Sequence, residues 1–392
     1  MHSLPYWRLS GYYFFYFAYV GAFSPYFGLF LQDRGFSAWD IGVLVSQTQL
    51  MRLFAPNLWG WVADRTHARL AVIRLTSLLA VLSFALLYWV QGFVPHLLVI
   101  GLMAFFWSAS LPLAESMTFD HLREQPARYS RIRLWGSVGF IVTVLGIGAL
   151  LDHAPLGTLL PSILVLLGGV LLCALAVPDV APRAHAENPS VRSILRQPRV
   201  RAILGSSFCM AMAHGAYYVF YSIFLTQHGY SKAMVGGLWS LGVIAEIGVF
   251  LLMPRWLPRL GLRRVLLACY LAAALRFVLI GMGVEVLLLL LLAQVLHGLT
   301  FGAHHAASIA AIHRWFPGRA QARGQALYSS LSFGAGGLVG GVLSGWSWDH
   351  LGGGVTFALS GSFALLGAAL VAGWIVHDGE PSEEHKAAAT AA

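Results

Sequence analysis

Apolar residues run in long stretches along this chain, without the two-residue alternation of strands. Each stretch is close to the ~20 residues that a helix needs to cross a bilayer. Twelve are read, at roughly 9–31, 41–62, 71–90, 96–117, 133–151, 158–177, 201–226, 235–254, 263–281, 286–308, 323–345 and 355–376. The expected fold is therefore an all-α membrane protein of twelve transmembrane helices. Residues 178–200 are rich in Pro and Arg, lack an apolar period and read as a linker. They divide the chain into six-helix bundles at 1–177 and 201–377, and the acidic, then Ala-rich tail at 378–392 is expected to be disordered. The first stretch begins within ten residues of Met1 without a small-residue cleavage site, so a retained helix is expected rather than a signal peptide.

The two halves repeat each other 194 positions apart. Gly35-Phe36-Ser37 returns as Gly229-Tyr230-Ser231, Gly42 and Leu44 return as Gly236 and Leu238, and Arg69 returns as Arg263. Six spans per half give both halves one membrane orientation. Their repeat is then parallel, about an axis along the membrane normal, and a transport site is expected between them.

Composition makes the bilayer the solvent. The chain is 58% hydrophobic and 10% charged, with a mean hydropathy of +0.71. A soluble chain carries about a quarter charged residues. Of the 25 Lys and Arg, Arg34 and Lys232 fall in loops on one side, Arg52 and Arg276 lie inside spans, and the other 21 fall on the opposite side. The positive-inside rule makes that side, with both termini and the linker, cytoplasmic, as in a multi-pass protein of a bacterial inner membrane. The net charge of +9 is thereby a matter of topology and calls for no nucleic-acid partner. Cys173, Cys209 and Cys269 have no CxxC spacing, and HExxH, GxSxG and Gly-rich phosphate loops are missing. Neither an enzyme, a cofactor nor a metal is expected. The expected partners are a small-molecule substrate, protons and the lipid bilayer, bound by a monomer.

Five charges fall in or against the spans: Arg52, Glu115, Arg133, Glu246 and Arg276. Each costs about 2.5–3.5 kcal/mol at a helix centre, which is bearable facing a watery cavity or another charge. Three bases against two acids leave one positive charge, which an anionic substrate would balance. On the tenth span His297 and His304 are seven apart, on one face of an α-helix with Phe301 between them, and His305 points away. His214 opens His214-Gly-Ala-Tyr217-Tyr218 on the seventh span, and Tyr16 and Tyr19 on the first are candidates for the facing wall. Gly334, Gly336, Gly337, Gly340, Gly341 and Gly345 mark the eleventh span as a tightly packed helix.

The loop Gly60-Trp-Val-Ala-Asp64-Arg65-Thr-His-Ala-Arg69 resembles the signature loop of the major facilitator superfamily. The resemblance implies a cytoplasmic latch by Asp64, Arg65 and Arg69. Its second copy, Met253 to Arg264, keeps the bases and lacks the aspartate. Arg131-Ile-Arg133-Leu-Trp-Gly136-Ser-Val-Gly139-Phe, Leu238-Trp-Ser-Leu-Gly-Val, Ala245-Glu246 and Leu296-His297 with Thr300-Phe301 resemble a narrower group, the phenylpropionate and, more distantly, lactose permeases. That resemblance places Glu115 as the partner of Arg133, and Glu246, Arg276 and His297 on the group's acid, arginine and histidine. Thr300 stands where the sugar symporter has its proton-carrying glutamate, Gln294 where it has a lysine, and Tyr217 where it has an aspartate. The expected function is proton-coupled uptake of a small aromatic carboxylate by alternating access. Arg52 or Arg276 would bind the acid, Tyr16, Tyr19, His214, Tyr217, His297, Phe301 and His304 would surround the ring, Glu115 and Arg133 would complete the substrate site, and Glu246, Glu115 and His297 would couple protons. A sugar or nucleoside symporter and a non-transporting sensor are the alternatives.

Overall fold

The computed structural model describes residues 4–122, 128–180, 191–318 and 320–375. Twelve long helical rods cover them: α1 (Tyr6–Asp33), α2 (Ala38–Thr66), α3 (Arg69–Tyr88), α4 (Phe93–Leu122), α5 (Tyr129–His153), α6 (Leu156–Ala176), α7 (Pro198–Gln227), α8 (Lys232–Leu260), α9 (Leu262–Gly283), α10 (Leu287–Trp315), α11 (Ala320–Leu351) and α12 (Gly353–Trp374). Eleven are long and apolar enough to cross a membrane. The twelfth, α2, carries Gln47, Gln49, Arg52, Asn57, Asp64 and Arg65 along its length. Each expected span coincides with one rod. Part of the expected linker (181–190) and the tail at 378–392 lie outside the described residues.

Three rods are irregular. α7 is interrupted at His214, between Pro198–Ala213 and Gly215–Gln227. α10 contains a π-helical turn at Gly298–Ala303, and α11 contains one at Ser330–Gly336. Such turns, with their wider hydrogen-bond ring, occur often at functional sites.

The repeat seen in the sequence is physical. Gly35 and Gly229 hold φ of +83° and +84°, a left-handed conformation that glycine adopts without a Cβ clash. The following N–H groups reach back identically, Phe36 to the Leu31 carbonyl at 3.2 Å and Tyr230 to the Leu225 carbonyl at 3.1 Å. These are the 6→1 bonds that close a helix C-terminus. Ser37 then caps α2, with its hydroxyl accepting from the Asp40 N–H and Asp40 accepting from the Ser37 N–H. Ser231 does the same for α8, accepting from the Met234 N–H at 3.1 Å.

By contact the chain forms two compact units, residues 1–185 with 214–240 and 333–356, and residues 186–213 with 241–332 and 357–392. In the first, small residues bring backbones together, as membrane helices allow. A Cβ on Gly21 of α1 would stand 2.7 Å from the Phe140 carbonyl of α5, and one on its repeat mate Gly215 would stand 2.2 Å from the Gly340 backbone of α11. Gly42 of α2 meets Gly341 and Gly345 of α11, while its mate Gly236 of α8 meets the Val144 carbonyl of α5. Two carboxylates finish these crossings. Asp152, at the end of α5, accepts from the Lys232 and Ala233 N–H groups that open α8. Asp349, at the end of α11, accepts from the Trp39 N–H that opens α2.

In the second unit α8, α9, α10 and α12 pack by the same device. Gly298 sits on the Ala245 carbonyl, and Gly367 sits on the Tyr270 ring. Arginines close helix C-termini in both units: Arg74 donates to the carbonyls of Ala174, Leu175 and Val177 at the end of α6, and Arg263 donates to Ala372 on α12. The basic group there offsets the negative end of the helix dipole.

Candidate functional site

The first unit holds a cavity of about 70 Å³. Its walls come from four helices: Tyr19 and Phe23 of α1, Thr48, Gln49 and Arg52 of α2, Trp107 and Ser108 of α4, and Tyr218 of α7. The helix period explains this set. Gln49 and Arg52 are three apart and share a face of α2, and Tyr19 and Phe23 are four apart on α1. Arg52 is exposed, which a water-filled space at bilayer depth permits. Among the described residues of the lining it is the one charged side chain, and no carboxylate faces it there.

The rings opposite form a stacked wall. Trp107 lies against Tyr16 at 4.3 Å and 9° between planes, and against Tyr19 at 4.2 Å. Tyr19 and Phe23 stack at 5.4 Å. Tyr16 is thus a buried support for Trp107, outside the cavity lining, while Tyr19 reaches the cavity itself. Trp107 and Gln49 did not stand out in the sequence, and Tyr218 was named there only within the stretch that His214 opens. Gln49 had a signal, a polar residue one turn from Arg52 in an apolar span. Trp107 had none.

Tyr217 is buried at 4.5 Å from Trp239, whose indole N–H donates to Ser222. Its neighbour Tyr218 takes the place on the cavity wall. His214 sits at the interruption of α7, 3% exposed, with its ring 6.0 Å from that of Tyr218.

Glu115 and Arg133 do not form the direct ion pair that the resemblance implied. Among the described residues no ion pair joins them. Glu115, half-buried on α4, accepts a 3.0 Å hydrogen bond from Tyr129. Arg133 instead lays its guanidinium over the Phe17 ring at 3.8 Å, a cation–π contact. Tyr129 stacks on Phe119 at 4.6 Å, which fixes the hydroxyl toward Glu115.

The residues expected at a cytoplasmic gate also divide. Asp64 and Arg65 are exposed, with Arg65 over the Trp61 ring at 5.8 Å. Arg69 forms its ion pair with Asp120 of α4, which is 5% exposed. Asp120 is the better-placed acid because the α4 end lies beside the start of α3, whereas Asp64 remains on the outer surface of α2.

In the second unit the π-helical turn changes the expected face of α10. His297 and Phe301 stack at 15° and 5.6 Å, and Phe301 and His305 stack at 13° and 6.2 Å. The wider turn keeps residues four apart in line, so His305 joins this row and His304 leaves it. His304 pairs with the Tyr270 hydroxyl of α9 at 3.0 Å, and His305 with Tyr328 of α11 at 3.1 Å. Glu246 packs beside the same turn: a Cβ on Gly302 would meet its Cγ at 3.2 Å. Arg276 is fully buried, and its Nε donates to the Ala293 carbonyl at 3.0 Å. Of the two arginines considered for an acid, Arg52 is the one on the cavity wall.

Among the described residues no group of three or more His, Cys, Asp or Glu is arranged to hold a metal. A sequence model of the family described as "MFS_1 like family" matches residues 6–359. The chain is 28% identical over 359 residues to a "Probable 3-phenylpropionic acid transporter" of Escherichia coli (strain K12), covering 90% of this chain and 94% of that one. It is 28% identical over 347 residues to a "Maltose permease" of Geobacillus stearothermophilus, covering 85% and 86%. The crystal structure of the nucleoside transporter NupG superposes with a TM-score of 0.82 at 18% identity, covering 95% of this chain and 99% of NupG. These proteins are transporters rather than enzymes.

Proposed function

Because this chain belongs to the MFS_1 like family of multi-pass membrane transporters, we propose that it carries a small aromatic monocarboxylate, with a proton, across a bacterial inner membrane by alternating access. The observation that carries this reading is the cavity whose single charge, among its described lining residues, is Arg52. A guanidinium offers a planar fork to a carboxylate. The Tyr19, Phe23, Trp107 and Tyr218 rings offer an apolar wall to an aromatic body. Similarity to a relative named for 3-phenylpropionic acid supports the same substrate class.

In this reading the six-helix halves 1–177 and 201–377, joined by 178–200, rock about the substrate as a monomer with both termini in the cytoplasm. Arg69 with Asp120, beside Asp64 and Arg65, serves the cytoplasmic gate. Glu246, at the wide turn of α10 beside Gly302, carries the proton. Glu115 with Tyr129, and His297, are the next candidates.

A sugar or nucleoside symporter is the competing reading, favoured by the maltose permease among the relatives. Thermal-shift screening of the purified protein separates the two. Stabilisation by aromatic monocarboxylates and not by sugars or nucleosides is expected. Stabilisation by sugars alone would remove the carboxylate reading, and stabilisation by none with no uptake would favour a non-transporting sensor.

A further inference from the structure

The hydroxyl groups of the cavity carry a second piece of chemistry. A hydroxyl has one proton to donate and two lone pairs to accept with. Five hydroxyl-bearing side chains line the cavity, Tyr19, Ser24, Thr48, Ser108 and Tyr218, and three of them have their proton committed elsewhere. Thr48 donates to the Val45 carbonyl one turn back on α2, at 2.9 Å. Ser108 donates to the Ala104 carbonyl one turn back on α4, at 2.7 Å. Tyr19 donates to the Met103 sulfur at 3.5 Å. What these three oxygens can offer a ligand is therefore acceptance.

Two donors share one face of α2. Arg52 is the cation, and Gln49 stands one turn before it. The Gln49 carboxamide has two N–H donors, and its Oε1 is buried without a hydrogen-bond partner. The cavity thus offers Arg52 and Gln49 to an acid, oxygens that can only accept at Thr48, Ser108 and Tyr19, and rings on the remaining wall.

We infer that the substrate is an aromatic monocarboxylate that also carries a hydrogen-bond donor, in its simplest form a ring hydroxyl, received by Thr48, Ser108 or Tyr19. This rests on the carboxylate reading above and narrows it. A site built to hydrogen-bond a substrate hydroxyl discriminates against the analogue lacking it, because the site's polar atoms are then left unpaired against an apolar ring.

The test is equilibrium binding to the purified full chain, followed by tryptophan fluorescence. The ligands are 3-phenylpropionate and its ortho-, meta- and para-hydroxylated derivatives. At least one hydroxylated acid should bind about tenfold more tightly than the parent acid, one hydrogen bond's worth. Thr48→Val combined with Ser108→Ala should reduce that ratio to within about twofold, by weakening the hydroxylated acid alone. Thr48→Ser and Ser108→Thr keep the acceptors and should keep the ratio, which separates this role from loss of fold. If the parent acid binds as tightly as every derivative, or if the double variant leaves the ratio intact, the inference is overturned while the carboxylate reading stands. If none of the acids binds, both fall together.

Discussion

Asp152 accepts hydrogen bonds from the backbone N–H of Lys232 at 2.7 Å and of its neighbour Ala233 at 3.0 Å, so that the end of α5 seals the start of α8. The repeat makes the same seal a second time. Asp349 at the end of α11 accepts from the Trp39 N–H at the start of α2, at 2.9 Å. A carboxylate at a helix N-terminus meets both an unsatisfied donor and the positive end of the dipole, and such a cap contributes about 0.5–2 kcal/mol. Both seals lie at the ends of the rods away from the Gly60–Arg69 loop, where α2 meets α11 and α5 meets α8 through glycines. Replacing Asp152 and Asp349 by Ala should therefore favour opening at that face. In a background without Cys173, Cys209 and Cys269, a Ser24→Cys reporter on the cavity wall should react several-fold faster with an impermeant thiol reagent added outside. Each single variant should give part of the effect. Equal rates in parent and double variant would show that the caps do not hold this face.

Arg52 is the cavity's cation, and its removal should remove acid binding. Charge-assisted hydrogen bonds contribute about 1.5–3 kcal/mol, so Arg52→Gln should weaken an aromatic acid by roughly 10- to 100-fold. Arg52→Lys should recover part of this, since an ammonium lacks the planar fork. Arg276→Gln, by contrast, should act on stability, because that side chain is buried against the Ala293 carbonyl. Isothermal titration with thermal unfolding of each variant distinguishes these. Unchanged affinity in Arg52→Gln would place the acid elsewhere.

A monoanion moving with one proton carries no net charge. Uptake into proteoliposomes should therefore follow the pH gradient and be nearly indifferent to membrane potential. A neutral sugar moving with one proton would gain about 2.3 kcal/mol per 100 mV. Acid uptake that rises steeply with potential at zero pH gradient contradicts one-to-one symport.

Glu246→Gln should fold, bind and exchange substrate across the membrane, and should fail to concentrate it. The exchange assay guards against a merely damaged protein. Accumulation equal to the parent would pass the proton role to Glu115 or His297.

The membrane-scale features of this chain were legible because they depend on long stretches and exact repeats. Rod lengths follow from bilayer thickness, and an offset of 194 aligned Gly35 with Gly229 and Gly42 with Gly236, pairs that occupy matching turns and crossings. Side-chain partners were harder to read. Asp64 and Asp120 are both acids near the ends of apolar stretches, and only the packing of α3 against α4 gives Arg69 to the second. Trp107 is one aromatic among many in an apolar span, and its role comes from the rings stacked on it. Tyr217 and Tyr218 are adjacent, so a break at His214 decides which one faces the cavity.

The π-helical turn at Gly298–Ala303 bears on how α10 can be compared with other chains. A π turn is in effect a one-residue insertion into an α-helix, and each α-helical residue advances the chain by about 100°, a turn being 3.6 residues. Deleting one residue from Gly298–Ala303 would let the α register run through and leave everything beyond the turn on the face it now holds. His305 would then stand seven places after His297, on the same face, and the helix length would hardly change. A relative without the wide turn is accordingly one position out of phase after Phe301. An ungapped comparison would then equate His304 with a residue whose spatial counterpart is His305.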